Sequence, residues 1–168
     1  AGQWMMSRTR CGPMVHARLA VGGSSSGRLV SMVRQQARTV AQLERRGLVL
    51  VDGPPGVGCP VIATLTGASM LLVVTEPTPA GEHDLDRVLQ LARHFGIPSA
   101  VCVNRWDLHP EGTRSIEEHA RRVGAHVAGR IRYDPAVTAA QVRGLAAVEL
   151  GGDAAGDLQQ LWRSLGEL

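Results

Sequence analysis

The chain has 168 residues, 44% of them hydrophobic and 3% aromatic, which is room for one domain with a core of Leu, Val, Ala, Ile and Met. Its net charge is +3, and all 18 basic side chains other than histidine are arginines scattered among 15 acidic residues, which argues against the basic stripe and stacking aromatics of a nucleic-acid groove. No apolar run reaches bilayer length and no leader pattern stands at the N-terminus. The three cysteines, Cys11, Cys59 and Cys102, form no close pair or cluster, so a cytoplasmic chain with reduced thiols and no membrane anchor is expected.

Residues 1–27 read as an irregular or antiparallel lead-in that ends in the Gly/Ser loop VGGSSSG, and residues 28–168 as an α/β body, the whole forming one domain. From Arg28 to Arg46, Leu29, Val30, Val33, Ala37, Val40 and Ala41 recur at helical spacing, with Arg34, Arg38, Gln42 and Arg45 on other faces. Three short apolar runs follow, LVLVD, MLLVVTE and AVCVN, alternating with helical patterns such as Leu85, Val88, Leu89 and Ala92. Uninterrupted apolar strands alternating with amphipathic helices predict a parallel sheet covered on both faces. A fourth strand, HVAGRI, follows the helix of Ile116, Ala120 and Val123, and a last helix places Leu158, Leu161, Trp162 and Leu165 on one stripe.

Ligands of such sheets bind beyond the carboxyl ends of the strands. There the first run ends in Asp52, the second in Thr75 and Glu76, and the third in Asn104, which puts polar side chains on one rim. Asp52 leads into GPPGVG. An aspartate at a strand tip can hold hydrated Mg²⁺, Pro54 and Pro55 stiffen the turn, and Gly53, Gly56 and Gly58 allow a backbone N–H to approach an anionic oxygen closely. Read more plainly, the stretch is a strand-to-helix turn in which Asp52 caps a helix beginning near Cys59.

LVLVDGPPGVG resembles the Walker B and switch II segment of the MinD/ParA/Mrp class of P-loop ATPases. The likeness continues through GASMLLVVTEPTPAGEHDLDRVLQLARHFGIPSAVCVNRWDL and GRIRYDPAV, and so covers about Gly47 to Leu145. It is closest to the subgroup with a ferredoxin insert, whose members share GPMVHARL, here Gly12 to Leu19, ahead of a similar helix. The resemblance implies an ATPase that uses ATP and Mg²⁺ and is linked to iron-sulfur or metal-cluster handling, commonly as a homodimer with nucleotide at the interface. Asp52 would hold Mg²⁺ through water, and Gly56, within Gly53, Pro54 and Pro55, would sense the γ-phosphate by its N–H. Asn104 would contact the base, while Tyr133 and Asp134 of RIRYDPAV would lie against base and ribose, although Arg132 stands where the class usually has proline.

NRWD, Asn104 to Asp107, also resembles the guanine-reading element of GTPases, so Asp107 is either a guanine acceptor or a turn cap, with ATP the expected nucleotide. No GxxxxGK[ST] loop is present, and the chain has no lysine with which to build one; VGGSSSGR offers only glycines and Arg28. A run of four close cysteines is absent too, so any iron-sulfur cluster would come from a missing segment or a partner. The expectation is therefore the C-terminal half of a MinD-like ATPase domain, either a fragment of a longer gene product or a natural truncation, inactive alone and associating as a homodimer or with a complete homologue that supplies the phosphate loop. The competing expectation is a non-catalytic interaction module that has lost that loop. Among single residues, Cys59 reads as a small packing residue at a helix start and Cys102 as core. His16, His83 and His94 lack metal-ligand spacing, and the last helix carries Asp157, Glu167 and only Arg163 on its polar face, which suits a core or dimer helix better than an anionic membrane.

Overall fold

The computed structural model describes residues 2–19 and 26–168, so most of the VGGSSSG loop lies outside the described residues. Two compact units divide the chain, Ala1–Ala68 and Ser69–Leu168.

In the first unit, β1 (Gly2–Thr9) and β2 (Gly12–Leu19) form an antiparallel hairpin in the register Thr9↔Gly12 to Gly2↔Leu19. Its two-residue turn ends in Gly12 at φ +130°, a conformation glycine adopts without steric cost, and Thr9 Oγ1 closes it by donating to Gly12 O at 2.8 Å. β2 packs on α1 (Ser26–Leu43), the helix predicted from the periodicity of Leu29 to Ala41. A short helix, α2 (Cys59–Leu65), begins with Pro60 in its first turn and no side-chain cap, so Asp52 does not cap it. Its C-terminal carbonyls are satisfied from α1. Arg34 Nη1 donates to Ala63 O at 2.8 Å and Thr66 O at 2.5 Å, and Arg38 Nη2 donates to Gly67 O. Burial, then the neighbouring Arg38 charge, lowers the Arg34 pKa. Among the described residues of this unit only Ala41, Val61 and Leu65 are buried apolar side chains.

The predicted strand LVLVD does not form. Residues 48–52 belong to no strand or helix, their backbone makes no hydrogen bond to another described residue, and Leu48 and Leu50 are 58% and 77% exposed. High strand propensity needs a paired strand to satisfy N–H and C=O groups, and residues 48–52 are hydrogen-bonded to none among the described residues.

The second unit has the predicted parallel sheet, in the order β3 (Leu71–Thr75), β4 (Ser99–Asn104), β5 (His126–Ile131). β3 and β4 run in register from Leu71↔Ser99 to Thr75↔Val103, and β5 follows β4 with a bulge at Val101/Cys102. The crossovers are α3 (Pro79–His94) and α4 (Pro110–Arg122), and α5 (Pro135–Val142), α6 (Ala147–Leu150) and α7 (Asp153–Gly166) complete the unit. α3, α4 and α5 start alike: a proline stands in the first turn, and the residue before it, Thr78, His109 or Asp134, accepts from a backbone N–H two or three residues on. On one face of the sheet Leu85, Leu89, Ile116 and Ala120 pack against Val101 and Val103; on the other, Leu161 of α7 covers Ala100, Cys102 and Ala128. Each fully buried aliphatic side chain contributes about 1.5–3 kcal/mol relative to its exposed form.

Burial, assisted by the Asp157 charge, pushes the Cys102 thiol up to about 12, so it packs as core. Trp162 departs from the predicted stripe and is 55% exposed, because Ala154, Ala155 and Leu161 carry the buried face of α7. Glu117 is 4% exposed and joins α4 to β5 through Arg130, whose Nε and Nη2 reach its carboxylate at 2.5 and 2.8 Å. The Arg130 hydrogen bonds hold the Glu117 pKa below the usual carboxylate range despite burial.

Candidate functional site

Loops leave the carboxyl ends of the three strands of the second unit with most of their polar groups engaged. Thr75, at the end of β3, is buried, and its Oγ1 donates to Gly81 O at 3.0 Å, which ties the strand to the first turn of α3. Glu76 follows on the exposed rim. Its Oε1 accepts from Asn104 Nδ2 at 3.5 Å and lies 3.4 Å from Arg105 Nη1. Arg105 has φ +53°, the left-handed conformation that turns the chain sharply into the 3-10 turn Trp106–Leu108.

That turn brings Asp107 to the third loop, where Asp107 Oδ1 accepts from Tyr133 N at 2.7 Å. Arg132 donates to Asp157 Oδ2 from both its backbone N (3.0 Å) and Nε (2.8 Å), to Oδ1 from Nη2 (3.0 Å), and to Asp153 Oδ2 from Nη1 (3.3 Å). Asp134 uses both oxygens: Oδ1 accepts from Ala136 N at 2.8 Å and Oδ2 from Ala154 N at 3.1 Å. Those backbone bonds lower the Asp134 pKa, while the Arg132 hydrogen bonds lower that of Asp157 and raise that of Arg132. Three consecutive residues are thus pinned, and the Tyr133 side chain between the clamps stays 53% exposed. It borders a groove of about 550 Å³ lined also by Pro135, Thr138, Ala139, Val142 and Arg143.

The remaining sequence candidates stand in the first unit. Asp52, Gly53, Pro54 and Pro55 are exposed, and Gly56 has φ +87° with open space where a Cβ would be. A side chain there would be strained, so the turn requires glycine. The Asp52 carboxylate makes no hydrogen bond or ion pair with the described residues. One exposed, uncommitted carboxylate fits Mg²⁺ held through water, with the other oxygens supplied by water and phosphate. An iron-sulfur cluster does not fit: Cys11 and Cys59 are exposed, Cys102 is buried, and no group of three or more potential metal ligands exists among the described residues. No helix among them is long and apolar enough to cross a membrane.

The structure therefore brings Asn104 to Glu76 and Asp107 to Tyr133, with Asp134 beside them, and gathers Asp52 to Gly56 in one turn. Sequence reasoning missed the partners Arg105, Asp153 and Asp157. The one available signal was Arg132 in place of the proline usual in the resembling class, a charge that needed a partner; nothing in the linear order pointed 25 residues onward to Asp157.

Comparison with known proteins bears on this arrangement at two levels. No known family profile matches the chain. Two uncharacterized proteins of Methanocaldococcus jannaschii, MJ0578 and MJ0579, are 30% identical over 93 residues and 32% identical over 96. These matches span 55% and 54% of this chain but only 32% and 34% of those proteins, so the chain matches about a third of their length. Among solved structures, the MinD cell division protein of Aquifex aeolicus superposes with a TM-score of 0.66 at 24% identity, over 80% of this chain and 61% of that one. The Pyrococcus furiosus cell division ATPase MinD gives 0.67 at 17% identity, over 84% and 58%. Pyrococcus horikoshii MinD, solved in complex with Mg-ADP, gives 0.62 at 17% identity, over 80% and 54%. The chain has the fold of the MinD P-loop ATPases, an α/β arrangement around a parallel sheet.

Proposed function

We propose that the chain is the switch II and nucleobase half of a MinD-class ATPase, binding ATP with Mg²⁺. The observation that carries this reading is the Asp52–Gly56 turn, with its uncommitted carboxylate and left-handed glycine, in a chain of MinD fold. Asp52 holds Mg²⁺ through water, and the Gly56 N–H meets the γ-phosphate at the end of the rigid Gly53–Pro54–Pro55 segment. Asn104 meets the base, and Tyr133, fixed by Asp107 on one side and Asp134 on the other, flanks it. When bound, the metal neutralises phosphate charge in hydrolysis by an attacking water. These 168 residues hold no GxxxxGK[ST] loop, so the complete site takes one from elsewhere in the protein or from a complete homologue, and the 168 residues by themselves turn over little ATP. Coupling to iron-sulfur handling rests on the resemblance alone and requires cysteines supplied from elsewhere.

Adenine is favoured over guanine because Asp107 already spends Oδ1 on the Tyr133 amide, whereas the guanine-reading aspartate presents both oxygens to two donors. The second reading is a non-catalytic interaction module; the missing GxxxxGK[ST] loop favours it. Calorimetric titration of the chain with Mg²⁺-ATP and Mg²⁺-GTP, with Asp52→Ala in parallel, separates the readings. Heat with ATP that Asp52→Ala diminishes is the expected result. Equal or greater heat with GTP would restore the GTPase reading, and no heat from folded protein would leave the interaction module.

A further inference from the structure

β3 and β4 are paired in parallel up to Thr75↔Val103, so the next register position sets Glu76 beside Asn104 at the carboxyl rim of the sheet. Glu76 Oε1 accepts from Asn104 Nδ2 at 3.5 Å and lies 3.4 Å from Arg105 Nη1. A carboxylate only accepts, so it fixes which end of the amide it meets. Nδ2 turns to Glu76, and Oδ1, which has no hydrogen-bond partner among the described residues, is left as an acceptor. We infer that Glu76 is a specificity-determining residue, holding the Asn104 amide in the one orientation that selects a 6-aminopurine over a 6-oxopurine. This rests on the nucleotide reading above and names what chooses the base within it.

The chemistry of the two bases supplies the choice. Adenine offers a donor at N6 and an acceptor at N7, and an asparagine amide matches both: Oδ1 accepts from N6, and Nδ2 donates to N7 through the hydrogen that Glu76 leaves over. Guanine and hypoxanthine carry O6 in place of the amine, an acceptor that would face Oδ1 with no proton between them. A freely turning amide escapes this by presenting Nδ2 to O6. Here that flip would set Oδ1 against the Glu76 carboxylate, so the oxo base is disfavoured at either setting. Asp107 in a guanine-reading role would meet the N1 and N2 donors, a different edge of the ring. The Glu76 backbone is fixed from both sides. Thr75 before it is buried, Thr78 N donates to Glu76 O at 2.7 Å, and a Cβ on Gly81 would collide with Glu76 O, so the first turn of α3 presses against this residue. Arg105, held at φ +53°, supplies the carboxylate with a cation on the same rim.

Asn104 is the one asparagine among the 168 residues, so ¹⁵N-asparagine labelling leaves a single side-chain NH₂ signal to follow by NMR. Glu76→Gln keeps the shape of the side chain but offers a donor as well as an acceptor, which frees the amide to flip, and Glu76→Ala removes the contact. Both variants, shown to be folded by circular dichroism, should shift that signal in the nucleotide-free chain. Calorimetry then compares Mg²⁺-ATP with Mg²⁺-ITP, whose hypoxanthine has the 6-oxo group but lacks the 2-amino group an aspartate would read. Wild type should bind ATP at least about tenfold more tightly than ITP, and each variant should cut that ratio at least about fivefold. An amide signal unchanged in both variants, equal ATP and ITP affinities in wild type, or a ratio that Glu76→Gln preserves would each overturn the inference and leave nucleotide binding standing. No binding of either nucleotide by folded wild type would overturn the inference together with the reading beneath it.

Discussion

Leu48–Asp52 and Ala100–Asn104 have nearly the same pattern, four apolar residues and then a polar one, yet they meet opposite fates. LVLVD lies exposed with no ladder, while AVCVN is the central strand of its sheet, with Val101 and Val103 at 0% exposure between β3 and β5. The difference lies in the neighbours. β4 has a strand on each side and a helix layer on each face, so its backbone groups are paired and its side chains excluded from water. Residues 48–52 have no such partner among the described residues. An apolar β-branched run is therefore a capacity for strand formation that the surrounding chain must complete.

The sharpest test of this contrast is truncation in both regions. Ile116→Ala beneath β4 should lower the unfolding free energy measured by urea denaturation by about 2–5 kcal/mol, whereas Leu50→Ala should stay within about 0.5 kcal/mol. Equal losses would mean that residues 48–52 are packed in solution. Glu117→Ala should come next, at about 1–3 kcal/mol, because it removes a buried carboxylate that accepts two hydrogen bonds from Arg130 and ties α4 to β5.

Acid offers a milder route to the same distinction. Glu117 and Asp157 have folded pKa values lowered chiefly by hydrogen bonds from Arg130 and Arg132, so their contribution is present above the ordinary carboxylate range, about pH 4, and is lost as pH falls through the lower folded values. Urea midpoints measured across that window should decline, and Asp157→Asn should flatten the decline. A midpoint that rises on acidification would contradict the ion-pair account. The smallest effect is expected at Arg45, whose φ of +54° closes α1: Arg45→Gly should stabilise the first unit by up to about 1 kcal/mol, read as a higher melting midpoint. A loss there would mean that the arginine side chain outweighs its backbone strain.

Elements governed by local chemistry were legible from sequence. β5 matches HVAGRI residue for residue, MLLVVTE contains β3, AVCVN lies within β4, which begins one residue earlier at Ser99, and α1 follows the stripe Leu29 to Ala41. The alternation of strands and helices implied both the parallel sheet and its two covered faces. Of the candidate site, the residue types at the strand ends could be read, but not which of them would be spent on structure. Asp134 looked like a ligand and uses both oxygens as a staple between α5 and α7. Trp162 lay on a plausible stripe but turned outward, because the contact face of α7 is set by which side reaches the sheet.

The sequence by itself determined what depends on the order of neighbours: helical and strand periodicity, proline entries to four helices, glycine at the φ > 0 turn of Gly56, and the lack of any lysine for a phosphate loop. Only the tertiary structure decided the long-range electrostatics, namely Arg132 with Asp157, Glu117 with Arg130 and Asp107 with the Tyr133 amide. It also decided which apolar run was completed into a sheet. Both depend on groups that meet only after the crossovers are made, and a charge or an unpaired backbone carries no local record of the partner that will satisfy it.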